Sequence, residues 1–87
     1  MAYILARARV PNYEQWLPKF QQTADRRQAG GLSRELVFRN PDDPTDVTVV
    51  FEVDEPEAGR QYLLSEGSRQ RQRETGGVVE AVYLLAQ

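Results

Sequence analysis

The chain has 87 residues, 13 acidic against 11 basic side chains for a net charge of −2, and neither cysteine nor histidine. An acidic balance argues against a nucleic-acid or membrane-surface partner, since both favour clustered basic charge. The missing cysteines exclude disulfides and thiolate nucleophiles. The missing histidines remove the commonest general base, the usual haem ligand and nearly every zinc site. Any chemistry must use carboxylates, tyrosines, arginines, Lys19, hydroxyls or a reactive substrate, and neither a metal nor another cofactor is expected. Residues 1–87 read as one domain, too small for a deep private core, because a chain of this size buries only about 60–65% of its unfolded surface. No apolar run approaches the roughly 20 residues of a spanning helix. The first ten residues carry Arg7 and Arg9 where a signal peptide would be apolar, so a cytoplasmic location is expected.

The first strand runs from Ala2 to Val10, with Ile4, Ala6, Ala8 and Val10 on one face and Tyr3, Leu5, Arg7 and Arg9 on the other. Pro11 ends it, and Asn12 with Gln15 three residues on gives a variant of the helix-capping box. Tyr13, Trp16, Leu17, Phe20 and Ala24 then follow at helical spacing, an aromatic stripe turned inward. Pro18 predicts a kink, or a separate first turn before a main helix of 17–29. Gly30-Gly31 stops it.

Two alternating runs come next, Leu32 to Arg39 and Asp46 to Val53, joined by Asn40-Pro41-Asp42-Asp43-Pro44-Thr45. Two prolines and three Asx residues there predict a long hairpin connection. In the third strand Val47, Val49, Phe51 and Val53 share one face, with Thr48, Val50 and Glu52 on the other. Asp54 with Glu57 is the expected cap of a second helix whose apolar stripe is Ala58, Tyr62 and Leu63. Ser65 restarts that helix, and residues 66–75 contain no apolar side chain at all. Gly76-Gly77 precedes a last strand, Val78 to Leu85, apolar on both faces.

The order β-α-β-β-α-β predicts a ferredoxin-like α+β fold with a four-stranded antiparallel sheet. Leu5, Val50, Val82 and Leu84 cannot all lie under helices that also cover Ile4, Phe51 and Tyr83. One sheet face is therefore open and partly apolar, which predicts a homodimer formed through it. Arg7 and Glu52 would pair on that face.

The run Asn12-Tyr13-x-x-Trp16-x-Pro18-x-Phe20, then Arg27-x-Ala29-Gly30-Gly31, Arg39-Asn40-Pro41-Asp42-Asp43-Pro44 with Val47, and Phe51-Glu52 with Asp54, resembles the small dimeric α+β barrel family. That family contains the antibiotic biosynthesis monooxygenases and small polyketide cyclases. The resemblance implies the fold, the homodimer and a pocket between helices and sheet. It also implies a cofactor-independent monooxygenase or cyclase acting on a small aromatic or polyketide-type molecule. Thr23 stands where relatives often carry histidine. Ser68, Arg71 and Gln72 stand where they are usually apolar, which implies a more polar or more open rim.

Trp16, Phe20, Phe51, Tyr62 and Tyr83 are the candidates to line that pocket for a flat aromatic ligand, with small Ala6 and Ala8 leaving room. Arg34, with Arg26 and Arg27, is a candidate to hold a phenolate or enolate oxygen. Surface solvation is the favoured role for Arg26, and an exposed ion pair with a carboxylate explains Arg27 as well. Arg69, Arg71 and Arg73 read as a solvated helix face, or else as a gate for an anionic ligand. Glu52 is a candidate buried carboxylate, either a general base or the structural partner of Arg7. No residue is assigned a catalytic step. Two other readings stay open: a non-catalytic homodimer that binds a small hydrophobic ligand or acts as a scaffold, and a protein degrading a reactive metabolite.

Overall fold

A computed structural model describes residues 2–86. Its elements are β1 (Ala2–Arg9), α1 (Tyr13–Gln22), α2 (Ala24–Ala29), β2 (Leu32–Asn40), β3 (Asp43–Val53), α3 (Pro56–Leu64), α4 (Glu66–Thr75) and β4 (Val78–Ala86). The four strands form one antiparallel sheet in the order β2-β3-β1-β4, so each pair of helices serves as one crossover in a ferredoxin-like α+β fold. Alternation on the two central strands sets which face the helices cover. Ile4, Ala6, Ala8 and Val10 of the first run and Val47, Val49, Phe51 and Val53 of β3 are all buried beneath them.

Cross-strand pairing corrects the expected phase of the last strand. Leu5 lies opposite Tyr83 and Tyr3 opposite Leu85, whereas Ala6 faces Val82 and Ile4 faces Leu84. Directly opposed residues share a face. Tyr83 is therefore on the open face, and Val82 and Leu84 are on the covered one, the reverse of the reading above. A strand apolar on both sides carries no alternation from which to read its phase. A register shift that leaves Glu80 unopposed sets it instead.

Asn12 caps α1 as expected, its side-chain oxygen accepting from the Gln15 N–H at 3.1 Å. Pro18 lies within α1 without ending it. The only helical hydrogen bond it deletes is to the carbonyl of Glu14, and both residues are exposed, so that carbonyl is not buried without a partner. The break comes at Thr23 instead. Its N–H and its hydroxyl both donate to the Phe20 carbonyl, at 3.1 and 2.8 Å, closing α1 one residue before α2 begins.

The hairpin is tighter than expected. Pro41 and Asp42 alone make the turn, Asn40 pairing with Asp43, and the extra residues form an irregularity inside β3. The Asx residues fold locally: Asn40 accepts from the Asp42 N–H at 2.9 Å, and Asp43 accepts from the hydroxyl and N–H of Thr45. The Asp43 carboxyl is held below the ordinary aspartate range, chiefly by the Thr45 hydroxyl, then by the Thr45 N–H and Arg9. Asp46 is lowered by the Asn40 amide, against partial burial, and by Arg7.

That last contact overturns another expectation. Arg7 pairs with Asp46 at 2.9 Å and not with Glu52, because the register sets Arg7 opposite Thr48 and Glu52 opposite Tyr3. In α3 the cap position belongs to Glu55 with Pro56 following it, one residue later than Asp54, and no side chain caps it. Ser65 does restart the helix, accepting from the Ser68 N–H at 3.2 Å. Gly76, in the left-handed conformation at φ 87°, ends α4.

Candidate functional site

A cleft opens between the helices and the covered face of the sheet. Ala6, Ala8, Val49 and Phe51 form its floor, α1 and α2 one bank, and α3 and α4 the other. The aromatic stripe of α1 lands in it. Trp16 and Phe20 stack with centroids 4.7 Å apart, and Phe20 meets Phe51 at 6.5 Å in a tilted arrangement, the offset geometries that aromatic quadrupoles favour. Tyr62 enters from α3 because the helix terminus opposite has no side chain. A Cβ on Gly30 would lie 2.5 Å from the Tyr62 ring.

One basic group in this wall is locked. Arg27 is 7% exposed, with its guanidinium 3.6 Å from the centroid of the Phe20 ring. It donates through Nε and Nη2 to the two carboxylate oxygens of Glu35, through Nη2 to the Phe20 carbonyl at 2.7 Å, and through Nη1 to the Thr23 hydroxyl. The expected exposed ion pair is thus a buried, bidentate one.

A bulge in β2 makes it possible. Ser33 lies opposite Glu52 and Leu36 opposite Val50, three steps along β2 against two along β3. Arg34 absorbs the extra residue with φ 51°, in the left-handed region that few non-glycine residues occupy. Glu35 is thereby turned toward α2, and Arg34 toward the open face, where its Nε lies 3.6 Å from Glu52.

Of the candidates named from sequence, Trp16, Phe20, Phe51 and Tyr62 come together at the cleft, while Arg34 and Tyr83 lie on the other side of the sheet. The bulge removes the first and the phase of β4 removes the second. Glu52 is also on that far face, paired with Arg34, and cannot act as a base in the cleft. No carboxylate lines the cleft, and no group of acidic side chains able to hold a metal occurs among the described residues.

Thr75 was not foreseen in the wall, and Thr23 and Gln72, noted from sequence only as departures from the family pattern, line it too. The Gln72 amide donates to the Leu63 carbonyl and the Ser68 hydroxyl and accepts from the Val79 N–H. It stands between the inner cleft, a cavity of about 80 Å³, and an outer cavity of about 220 Å³ toward β4. Its signal in the sequence was weak: a glutamine flanked by arginines looks like a solvated face.

No protein-family model and no curated protein matches the chain. Solved structures do. SnoaB of Streptomyces nogalater, a cofactor-independent oxygenase, superposes with a TM-score of 0.71 at 17% identity, over 99% of this chain and 91% of its own. An antibiotic biosynthesis monooxygenase-like protein from Bordetella bronchiseptica gives 0.78 at 11% identity, over 99% and 95%. A further antibiotic biosynthesis monooxygenase gives 0.68 at 16%, over 100% and 98%. The fold is that of the antibiotic biosynthesis monooxygenase-like proteins. Within this monooxygenase-like fold the chain keeps the layered plan over nearly its whole length, with its own side chains in the cleft. No helix among the described residues is long and apolar enough to cross a membrane.

Proposed function

We propose that the chain is a cofactor-independent monooxygenase or cyclase-like protein acting on a small aromatic or polyketide-type molecule held in this cleft. The observation that carries the reading is the composition of the wall: stacked aromatic rings with Arg26, Arg71 and Tyr62, and no carboxylate among the described residues. Apolar rings accept a flat body, and guanidinium groups stabilise negative charge on a phenolate or enolate oxygen as it develops. The substrate anion supplies the electrons; the protein supplies proximity, orientation and a positive field.

Oxygen uptake with 1,3-dihydroxynaphthalene, followed together with the fluorescence of Trp16, the only tryptophan, tests this. Saturable, protein-dependent uptake with quenching is the expected result. Quenching without uptake supports the second reading, a non-catalytic binding protein or scaffold, which the small inner cavity favours, since ligand pockets usually reach about 300–1,000 Å³. Neither signal would sink both.

The same reading includes a second copy of the chain on the open face. Leu36, Phe38, Tyr83 and Leu85 stand exposed there around Val50 and Leu5, an apolar area that a partner sheet would cover. The protein should sediment at about 20 kDa, twice the 10.0 kDa chain. Val50→Lys should yield monomer or unfold it, because the change places an unpaired charge inside that interface. A wild-type monomer at micromolar concentration would remove the interface from the proposal.

A further inference from the structure

Seven of the ten arginines have a carboxylate partner among the described residues. The three that lack one are Arg26, Arg69 and Arg71, and all three line the two adjoining cavities: Arg26 and Arg71 the inner cleft, Arg69 the outer. In a chain of net charge −2 carboxylates are in excess, so pairing was open to them and is absent at one place. Arg27 and Arg73, which also line these cavities, are neutralised by Glu35 and Glu66.

Arg71 is the best placed. It is half-buried on α4, and its Nη2 donates to the Tyr62 hydroxyl at 3.1 Å. A neutral partner fixes the guanidinium without cancelling its charge, and leaves further N–H donors for a ligand. Arg26 approaches from α2, the opposite bank, and is exposed and free to turn inward. A guanidinium fork matches a carboxylate in plane and spacing.

We infer that the cleft takes an aromatic carboxylic acid, its ring system against Trp16, Phe20 and Phe51 and its carboxylate between Arg71 and Arg26. The inference rests on the cleft's being a ligand site and adds the acidic group. Helix α4 then acts as the cover of the site. It contains no apolar side chain, so polar contacts such as those of Gln72 and Arg71 hold it down rather than a buried stripe. The inner cavity alone is too small for a two-ring ligand, and because Leu63, Gln72, Gly77 and Val79 line both cavities, displacing the Gln72 amide would join them.

The test compares 2-naphthoate with its neutral counterpart 2-naphthamide, read by quenching of Trp16. Naphthoate should bind at least tenfold tighter at low ionic strength, with the gap narrowing as salt is added. Arg71→Gln should weaken naphthoate at least tenfold and leave naphthamide within twofold. Arg60→Gln, which removes the same charge from the exposed side of α3, should leave the preference intact. Equal binding of the two ligands overturns the acid and leaves the cleft standing as an aromatic site. An Arg71→Gln variant that weakens both ligands alike overturns the clamp, since the residue would then act only by placing Tyr62. No quenching by either ligand overturns the clamp and the cleft reading together.

Discussion

Arg27→Met should lower stability by about 3–5 kcal/mol, read as the shift of the urea unfolding midpoint. The loss comes from what is left behind. Glu35 is largely buried, its side chain only 17% exposed, and both its oxygens accept from Arg27. Without the guanidinium its charge is uncompensated, and the Thr23 hydroxyl and Phe20 carbonyl each lose a donor. Folded domains hold only about 5–15 kcal/mol in total, so this variant should sit near the edge of folding. The double variant Arg27→Met/Glu35→Leu should recover most of the loss, because replacing a buried pair by apolar groups is often neutral. A single variant as stable as wild type would mean that water reaches Glu35 and that the pair contributes little.

Phe51→Ala should cost a similar amount, about 3–5 kcal/mol, by a different route. Phe51 is 2% exposed at the centre of the sheet and meets Phe20 at a tilt, so deleting its ring leaves a void that rigid neighbouring strands cannot close. The void opens into the floor of the cleft. The variant should therefore be less stable yet accept a bulkier aromatic ligand than wild type, with thermal melts and Trp16 quenching as the two readouts. Lower stability with unchanged ligand size would mean that the helices settle into the gap.

Much of this was legible in the residues. Asn12, Ser65 and Gly76 announce helix boundaries through local chemistry, and Trp16, Phe20 and Phe51 meet because helical and strand periodicities both point them inward. What was hidden shares one cause. The positions of Arg34, Glu35 and Tyr83 depend on register shifts in the two edge strands, β2 and β4, and a shift inverts the alternation beyond it. The tight hairpin was misread because its Asx and proline residues serve both the turn and the irregularity beside it. Arg27 looked exposed because its partner lies across a turn on a strand whose phase was inverted. A signal was there: under uninterrupted alternation from Leu32, Leu36 would face the helices and Glu35 would not, and both do the opposite.

The bulge at Arg34 governs two surfaces with a single residue. Upstream of it Leu32 points to the helices; downstream Glu35 points there too, and Leu36 and Phe38 are left facing outward. Were β2 to run in unbroken alternation through Arg34, its two sides beyond that point would exchange, sending the carboxylate to solvent and the leucine and phenylalanine into the core. The charged lock behind the cleft and the greasy patch on the opposite side are thus a single trait. Drawing the bulge out into regular strand would lose both together.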